Sequence, residues 1–175
     1  MSNQSAESER IHGYLISQGE RYDYFELWPR NVKARLDVLD SLRGVSDKQA
    51  SFKPTEGEWS IREVALHILN GSRRVAGLVE LLASGQSASS DNIDPPHQET
   101  KLTIGELHSQ LLRDAVVWSS LINRLPDPPS FETTATHSFF GELHSRAWYL
   151  FQRLHDLDHH QQIQAIKETS GYPQN

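Results

Sequence analysis

The sequence predicts an all-α protein: a four-helix bundle with one or two short extra helices. Three observations carry this. Apolar residues recur at helical spacing in four separate stretches, no alternating strand pattern lasts more than a few residues, and the segments between are rich in Ser, Pro and Asp. A chain of 175 residues suits one domain with a single core. Residues 1–20 read as a tail or short helix, 21–168 as the bundle domain, and 169–175 as a C-terminal tail.

The first bundle helix shows as a stripe of Val32, Leu36, Leu39 and Leu42 that stops at Gly44. Pro29 either occupies its first turn or kinks a helix that begins near Arg21. The second has the clearest start. Ser60 and Glu63 have capping-box spacing, in which the hydroxyl and the carboxylate each satisfy a backbone N–H of the first turn, and Trp59 is placed to staple against Val64. Ile61, Val64, Ile68, Val75, Leu78, Val79 and Leu82 then hold helical spacing until Ser84-Gly85.

The third begins with a second box, Thr103 and Glu106, between Leu102 and Leu107. Its stripe of Ile104, Leu107, Leu111, Ala115, Trp118, Ile122 and Leu125 runs to Pro126. The fourth is expected from about residue 141 to 167, and residues 86–100 and 127–136 as loops.

Composition removes several classes of function. With no cysteine there is no disulfide, no protein thiolate and no Cys-based metal site, so any metal must be held by His, Asp or Glu. A net charge of −6 argues against a nucleic-acid partner. No apolar run approaches the ~20 residues that span a bilayer, and the polar, acidic start lacks signal-peptide features. A cytoplasmic location is expected.

The chemistry concentrates in His155-Asp-Leu-Asp-His159. At 100° per residue, two histidines four apart sit roughly 40° apart on one helix face, the spacing that offers two nitrogens to one metal ion. Projected from Leu143, the stripe of Trp148, Phe151, His155, His159, Gln162 and Ile166 faces inward beside one of Ala147, Leu150, Leu154 and Leu157. Asp158 falls between the two stripes at about 60°, and His160 near about 260°, toward solvent.

A third ligand should come from a facing helix. His67, two turns into the second helix, is the best placed, and His108 in the third is weaker. His12, His97, His137 and His144 fall in the tail, loops or a helix start. Periodicity alone leaves two readings open: half-buried histidines bonded to backbone or carboxylates, or a three-histidine metal site.

Glu58-Trp-Ser-Ile-Arg-Glu-Val64 followed by His67, together with His155-x-x-x-His159 and Gln162, resembles the paired motifs of the DinB-like family of metal-binding four-helix bundles. Residues 46–54, with a Ser-Asp start and a Lys-Pro end, share that likeness, which covers roughly 21–168. The resemblance implies one divalent ion (zinc, nickel or iron) on His67, His155 and His159, and frequently a homodimer. Some relatives use a low-molecular-weight thiol to transfer or isomerise groups, and related domains serve iron-dependent sulfoxide synthases.

The expected function is therefore a metal-dependent enzyme acting on a small molecule, such as a thiol-dependent S-transferase or a related transferase or hydrolase. The alternative is a non-catalytic metal- or ligand-binding bundle of stress-response type. Asp158 is expected to orient a ligand, with Gln162 and Trp148 lining the mouth. Ligand histidines must be neutral, so metal affinity should fall from about pH 7 to 5.

Overall fold

The computed structural model describes residues 3–91, 93 and 95–174. Helices α1 (Asn3–Arg21), α2 (Tyr24–Leu42), α3 (Asp47–Ala50), α4 (Ile61–Ala83), α5 (Ile104–Leu121) and α6 (Ser145–Glu168) account for most of it, with a hairpin of β1 (Thr134–His137) and β2 (Gly141–His144) before α6. Neighbours pack in the cyclic order α2–α6–α4–α5, which closes a four-helix bundle, and α1 lies outside it against α6 and β2.

Both expected capping boxes form. Ser60 and Glu63 start α4, and Thr103 and Glu106 start α5. The Ser60 hydroxyl is 3.4 Å from the Glu63 N–H it caps, and Glu63 Oε2 accepts from the Ser60 N–H at 2.7 Å. Since α4 carries His67, this cap also sets where the candidate ligand begins. Ser60→Ala is expected to cost about 0.5–2 kcal/mol in chemical denaturation. A third box, Asp23 with Glu26, starts α2 at Tyr24 and leaves Pro29 inside the helix, not in its first turn.

Two expectations about the chain ends of these elements are corrected. Residues 3–21 make a full 19-residue helix, not a loose tail or a short piece. Its apolar signal is sparse because only a narrow strip docks: Leu15 is wholly buried, with Ile11 and Ile16 packed against the same cluster. The approach is close at Gly19, where a Cβ would lie 2.5 Å from His144 Cε1. Residues 141–144, expected as helix, instead form β2. They pair antiparallel with residues 134–137, the first three of which fall in an expected loop, Ala135 opposite Leu143 and Thr136 opposite Glu142. Leu143 satisfies either period, so the pattern could not separate them; His144 ends the strand by capping α6, its Nδ1 accepting from the Ala147 N–H at 3.3 Å.

The core has two clusters, one around Leu15, Leu27, Val79, Trp118 and Trp148, the other around Val38, Ile61, Ile68, Leu107 and Ile163. Helix α6 passes through both, and every residue from Ser145 to Gln152 is buried. A single inward face therefore misdescribes it. Asp156, about 220° from Leu143 and outside both expected stripes, is 2% exposed.

Its partner is Arg35 of α2. The guanidinium donates to Asp156 Oδ2 at 2.8 Å, to Asp114 Oδ2 of α5 at 2.7 Å and to Ser72 Oγ of α4 at 3.0 Å. Ser72 donates to Asp114 at 2.5 Å, and Gln152 Nε2 to Asp156 Oδ1 at 2.7 Å. One buried cation thus ties all four bundle helices. Burial opposes its charge, but the two carboxylates prevail and raise its pKa. Beside it, Asn31 Oδ1, Trp118 Nε1, Tyr149 OH and Gln152 Oε1, buried without a partner among the described residues, belong to side chains lining a cavity of about 20 Å³, enough for one water. No helix among the described residues is long and apolar enough to cross a membrane.

Candidate metal centre

Two turns after its cap, α4 presents His67 to the bundle interior, 6% exposed. One turn apart on α6, His155 and His159 face it. Ring centroids are 5.0 Å apart for His67 and His155, 4.6 Å for His67 and His159, and 4.5 Å for His155 and His159. One nitrogen from each falls within 4.8 Å of the other two, and the Nε2 atoms of His67 and His155 are 3.1 Å apart. Two nitrogens each 2.0–2.1 Å from a tetrahedral ion lie about 3.3 Å apart, so the donor set fits one ion with little movement.

The far side of each ring decides whether that nitrogen carries a lone pair. His67 Nδ1 is 3.1 Å from the Pro95 carbonyl and His159 Nδ1 is 2.8 Å from Gln162 Oε1. A carbonyl oxygen only accepts, so both Nδ1 atoms carry the hydrogen and both Nε2 atoms face the centre as acceptors. His155 Nδ1 meets Gln152 Nε2 at 3.5 Å, a weak contact. A helix glycine makes room for this ring: a Cβ on Gly71 would sit 3.4 Å from His155 Cε1.

Burial, followed by the nearby His159, His67, Arg35 and His137, holds the His155 pKa well below the usual histidine range. His155 therefore stays a neutral ligand below pH 6.5, and its share of the expected acid loss moves to lower pH. For the metal-free fold the sign is unfavourable in acid. Below about pH 6.5 the unfolded chain takes up a proton that folded His155 refuses, so stability falls with pH there and is unaffected above. Zinc is accordingly expected to raise the melting temperature at pH 7.5, a rise that calorimetry with and without the metal reads directly.

The other expected residues divide. Gln162, expected at the mouth, is not among the residues lining the cavity of about 760 Å³ and instead accepts at Oε1 from His159 Nδ1. Asp158 is exposed on the cavity rim, and among the described residues no hydrogen bond joins it to His155 or His159; carbonyls of Pro95 and Gln162 meet the histidines instead. Trp148 does not line the mouth. It is wholly buried, donates from Nε1 to the Ala135 carbonyl at 3.1 Å, and packs behind His137 and Phe151. His160 stays out of the cluster, as expected, but is half-buried rather than turned to solvent, its Nδ1 3.0 Å from the Asp37 carbonyl of α2. His108 lies outside the cluster.

Four contributors were not legible as such. Trp59 packs edge-on against His67 at 4.9 Å and tilted over His97 at 5.2 Å. His97 donates from Nε2 to Glu63 Oε1 at 2.9 Å, where Lys53 Nζ also bonds at 2.8 Å. Burial would raise the Glu63 pKa, but Lys53, both Ser60 donors and His97 outweigh it and push it down to about 2. His137 accepts at Nδ1 from the Phe139 and Phe140 N–H groups. Of these, Trp59 stands in the family-like motif and is placed as a helix staple, and the loop that holds His97 gives no cue. Trp59, His97 and His137 line a cavity of about 760 Å³ whose base is the histidine cluster, and Lys53 and Glu63 stand behind His97.

No solved structure matches the chain. YuaE, an uncharacterised protein of Bacillus subtilis (strain 168), is 30% identical to it over 153 residues, 78% of this chain and 94% of that one. The family model of the DinB superfamily matches residues 30–163, which takes in α4, α5 and all three clustered histidines, and the chain belongs to that superfamily.

Proposed function

We propose that the protein is a cytoplasmic metal-dependent enzyme in which His67, His155 and His159 hold one divalent ion, zinc, nickel or iron, at the base of the cavity. The observation that carries this reading is the convergence of three imidazole nitrogens at an open cavity, with two of the rings locked by carbonyls as Nε2 donors. A closed structural site would use a fourth protein ligand, whereas the cluster among the described residues holds three, which leaves a position for water or substrate. When bound, such an ion supplies Lewis acidity and lowers the pKa of a water or thiol.

The chain's own residues do the rest. Pro95 and Gln162 fix two ring orientations, Arg35 and Asp156 anchor α6 behind the site, and Trp59 and Phe151 line the cavity above it. With no cysteine in the sequence, a thiolate nucleophile would have to come from a low-molecular-weight thiol, which makes an S-transferase the favoured reaction and a hydrolase its neighbour. The test is turnover of an electrophile such as an epoxide by metal-loaded protein with and without added thiol. Turnover that needs both metal and thiol supports the transferase; a metal-loaded protein inert toward thiol and water substrates contradicts an enzymatic role.

The proposal extends to a homodimer. Leu112, Val116 and Val117 of α5 and Leu36 of α2 are exposed, and burying them would favour association. Light scattering is expected to give twice 19.9 kDa; a monomer at tens of micromolar would remove this part.

A further inference from the structure

We infer that the outer wall of the cavity, built by α1 and the hairpin, selects a flat aromatic molecule carrying one acidic group. This rests on the metal reading for the acidic end and on the wall itself for the ring. At about 760 Å³ the cavity is of small-molecule size, with space for one or two fused rings beside a second reactant. Its sides are aromatic: Trp59 and Phe151 stand on the bundle, Tyr14 on α1, and Phe139 and Phe140 on the hairpin turn. Phe140 stacks on His137 at 4.6 Å and 19°, a flat platform that itself packs on Phe151. Stacked and edge-on faces of this kind favour planar rings over chains of equal area.

Charge places the acidic group. The wall carries one cation, Arg10, and one rim carboxylate, Asp158, which offset each other, and Arg10 already has Glu7 at 3.6 Å. Three neutral imidazoles leave the charge of a divalent ion uncancelled, so an anion gains most at the base.

The wall is one unit. Ser8 Oγ donates to the Phe139 carbonyl, and His12 Nε2 donates to the Glu142 carbonyl at 3.2 Å. Helix α1, which brings Tyr14, precedes residues 30–163, whereas the hairpin lies within the superfamily's matched segment. Phe139 is 62% exposed and Tyr14 37%, so the fold makes little use of either ring.

The test uses cobalt(II)-loaded protein, whose visible absorption reports ligands at the metal. 2-Naphthoate and acetate share a carboxylate and differ in the ring. 2-Naphthoate is expected to change the spectrum at a concentration about tenfold or more below that of acetate. In Phe139→Ala and Tyr14→Ala that preference should shrink, with cobalt content and the acetate response unchanged. Equal response to both acids in the wild type, or an undiminished preference in both variants, overturns the inference. Failure to take up cobalt would instead sink the functional reading. The wall is then read by quenching of tryptophan fluorescence by 2-naphthoate, expected to saturate in the wild type and to weaken in a Tyr14/Phe139 double variant; no saturable quenching overturns the inference as well.

Discussion

His155→Ala and His159→Ala are each expected to lose at least about two orders of magnitude in metal affinity, whereas His160→Ala keeps the wild-type value. Removing a group that merely hydrogen-bonds to a ligand typically costs 10–100-fold, so loss of the ligand itself must exceed that, and Gln162→Ala should fall within it. The geometry makes the contrast sharp. His155 and His159 have ring centroids 4.5 Å apart and both meet His67, while His160 turns to the Asp37 carbonyl on α2. Metal analysis after dialysis against a weak chelator reads all four variants, with far-ultraviolet circular dichroism as the folding control. Equal loss from all three histidine variants would mean that the phase of α6 is wrong.

Arg35→Met is expected to be the most destabilising single change in the bundle, by about 3–5 kcal/mol, because it strands two carboxylates in the interior. Asp114 and Asp156 are 4% and 2% exposed, and apart from Arg73 Nε at 3.9 Å from Asp114 their described charge partner is Arg35. For a domain of this size that cost corresponds to a fall in melting temperature of roughly 10 °C or more. Neutralising the stranded acids should recover part of it: the triple variant with Asp114→Asn and Asp156→Asn is expected to be more stable than Arg35→Met alone. If the triple variant is less stable than the single one, burial of unpaired charge is not the cause. Thermal denaturation of the metal-free proteins at pH 7.5 separates these outcomes from any effect on the centre.

What the sequence could and could not show follows from how far each signal reaches along the chain. Capping boxes are local, three residues apart, and two of the four were legible with the helices they start; Asp23 with Glu26 and Ser46 with Gln49 have the same spacing and give the others. The histidine spacing on α6 is likewise local, and His67 was legible as an inward position two turns from a known start. The wheel failed where its premise of one buried face failed. Because α1, α2 and α4 all pack on α6, Asp156 is as buried as the apolar stripes, and Asp158, placed between them, is exposed. Contacts that join distant segments left no pattern to read. Pro95 against His67, His97 against Glu63 and the hairpin against α1 each depend on loops whose course is set by the packed bundle, not by their own residues.

His67, His155 and His159 are expected to hold one ion together. Crystals of protein purified without a nickel column and loaded with zinc should settle it by anomalous diffraction above and below the zinc edge. A single strong peak is expected within about 2.0–2.1 Å of all three Nε2 atoms, with Nδ1 of His67 still on the Pro95 carbonyl and Nδ1 of His159 still on Gln162. A peak elsewhere, or none at the cluster in zinc-saturated crystals, would contradict it and return the three histidines to the interior of an ordinary bundle.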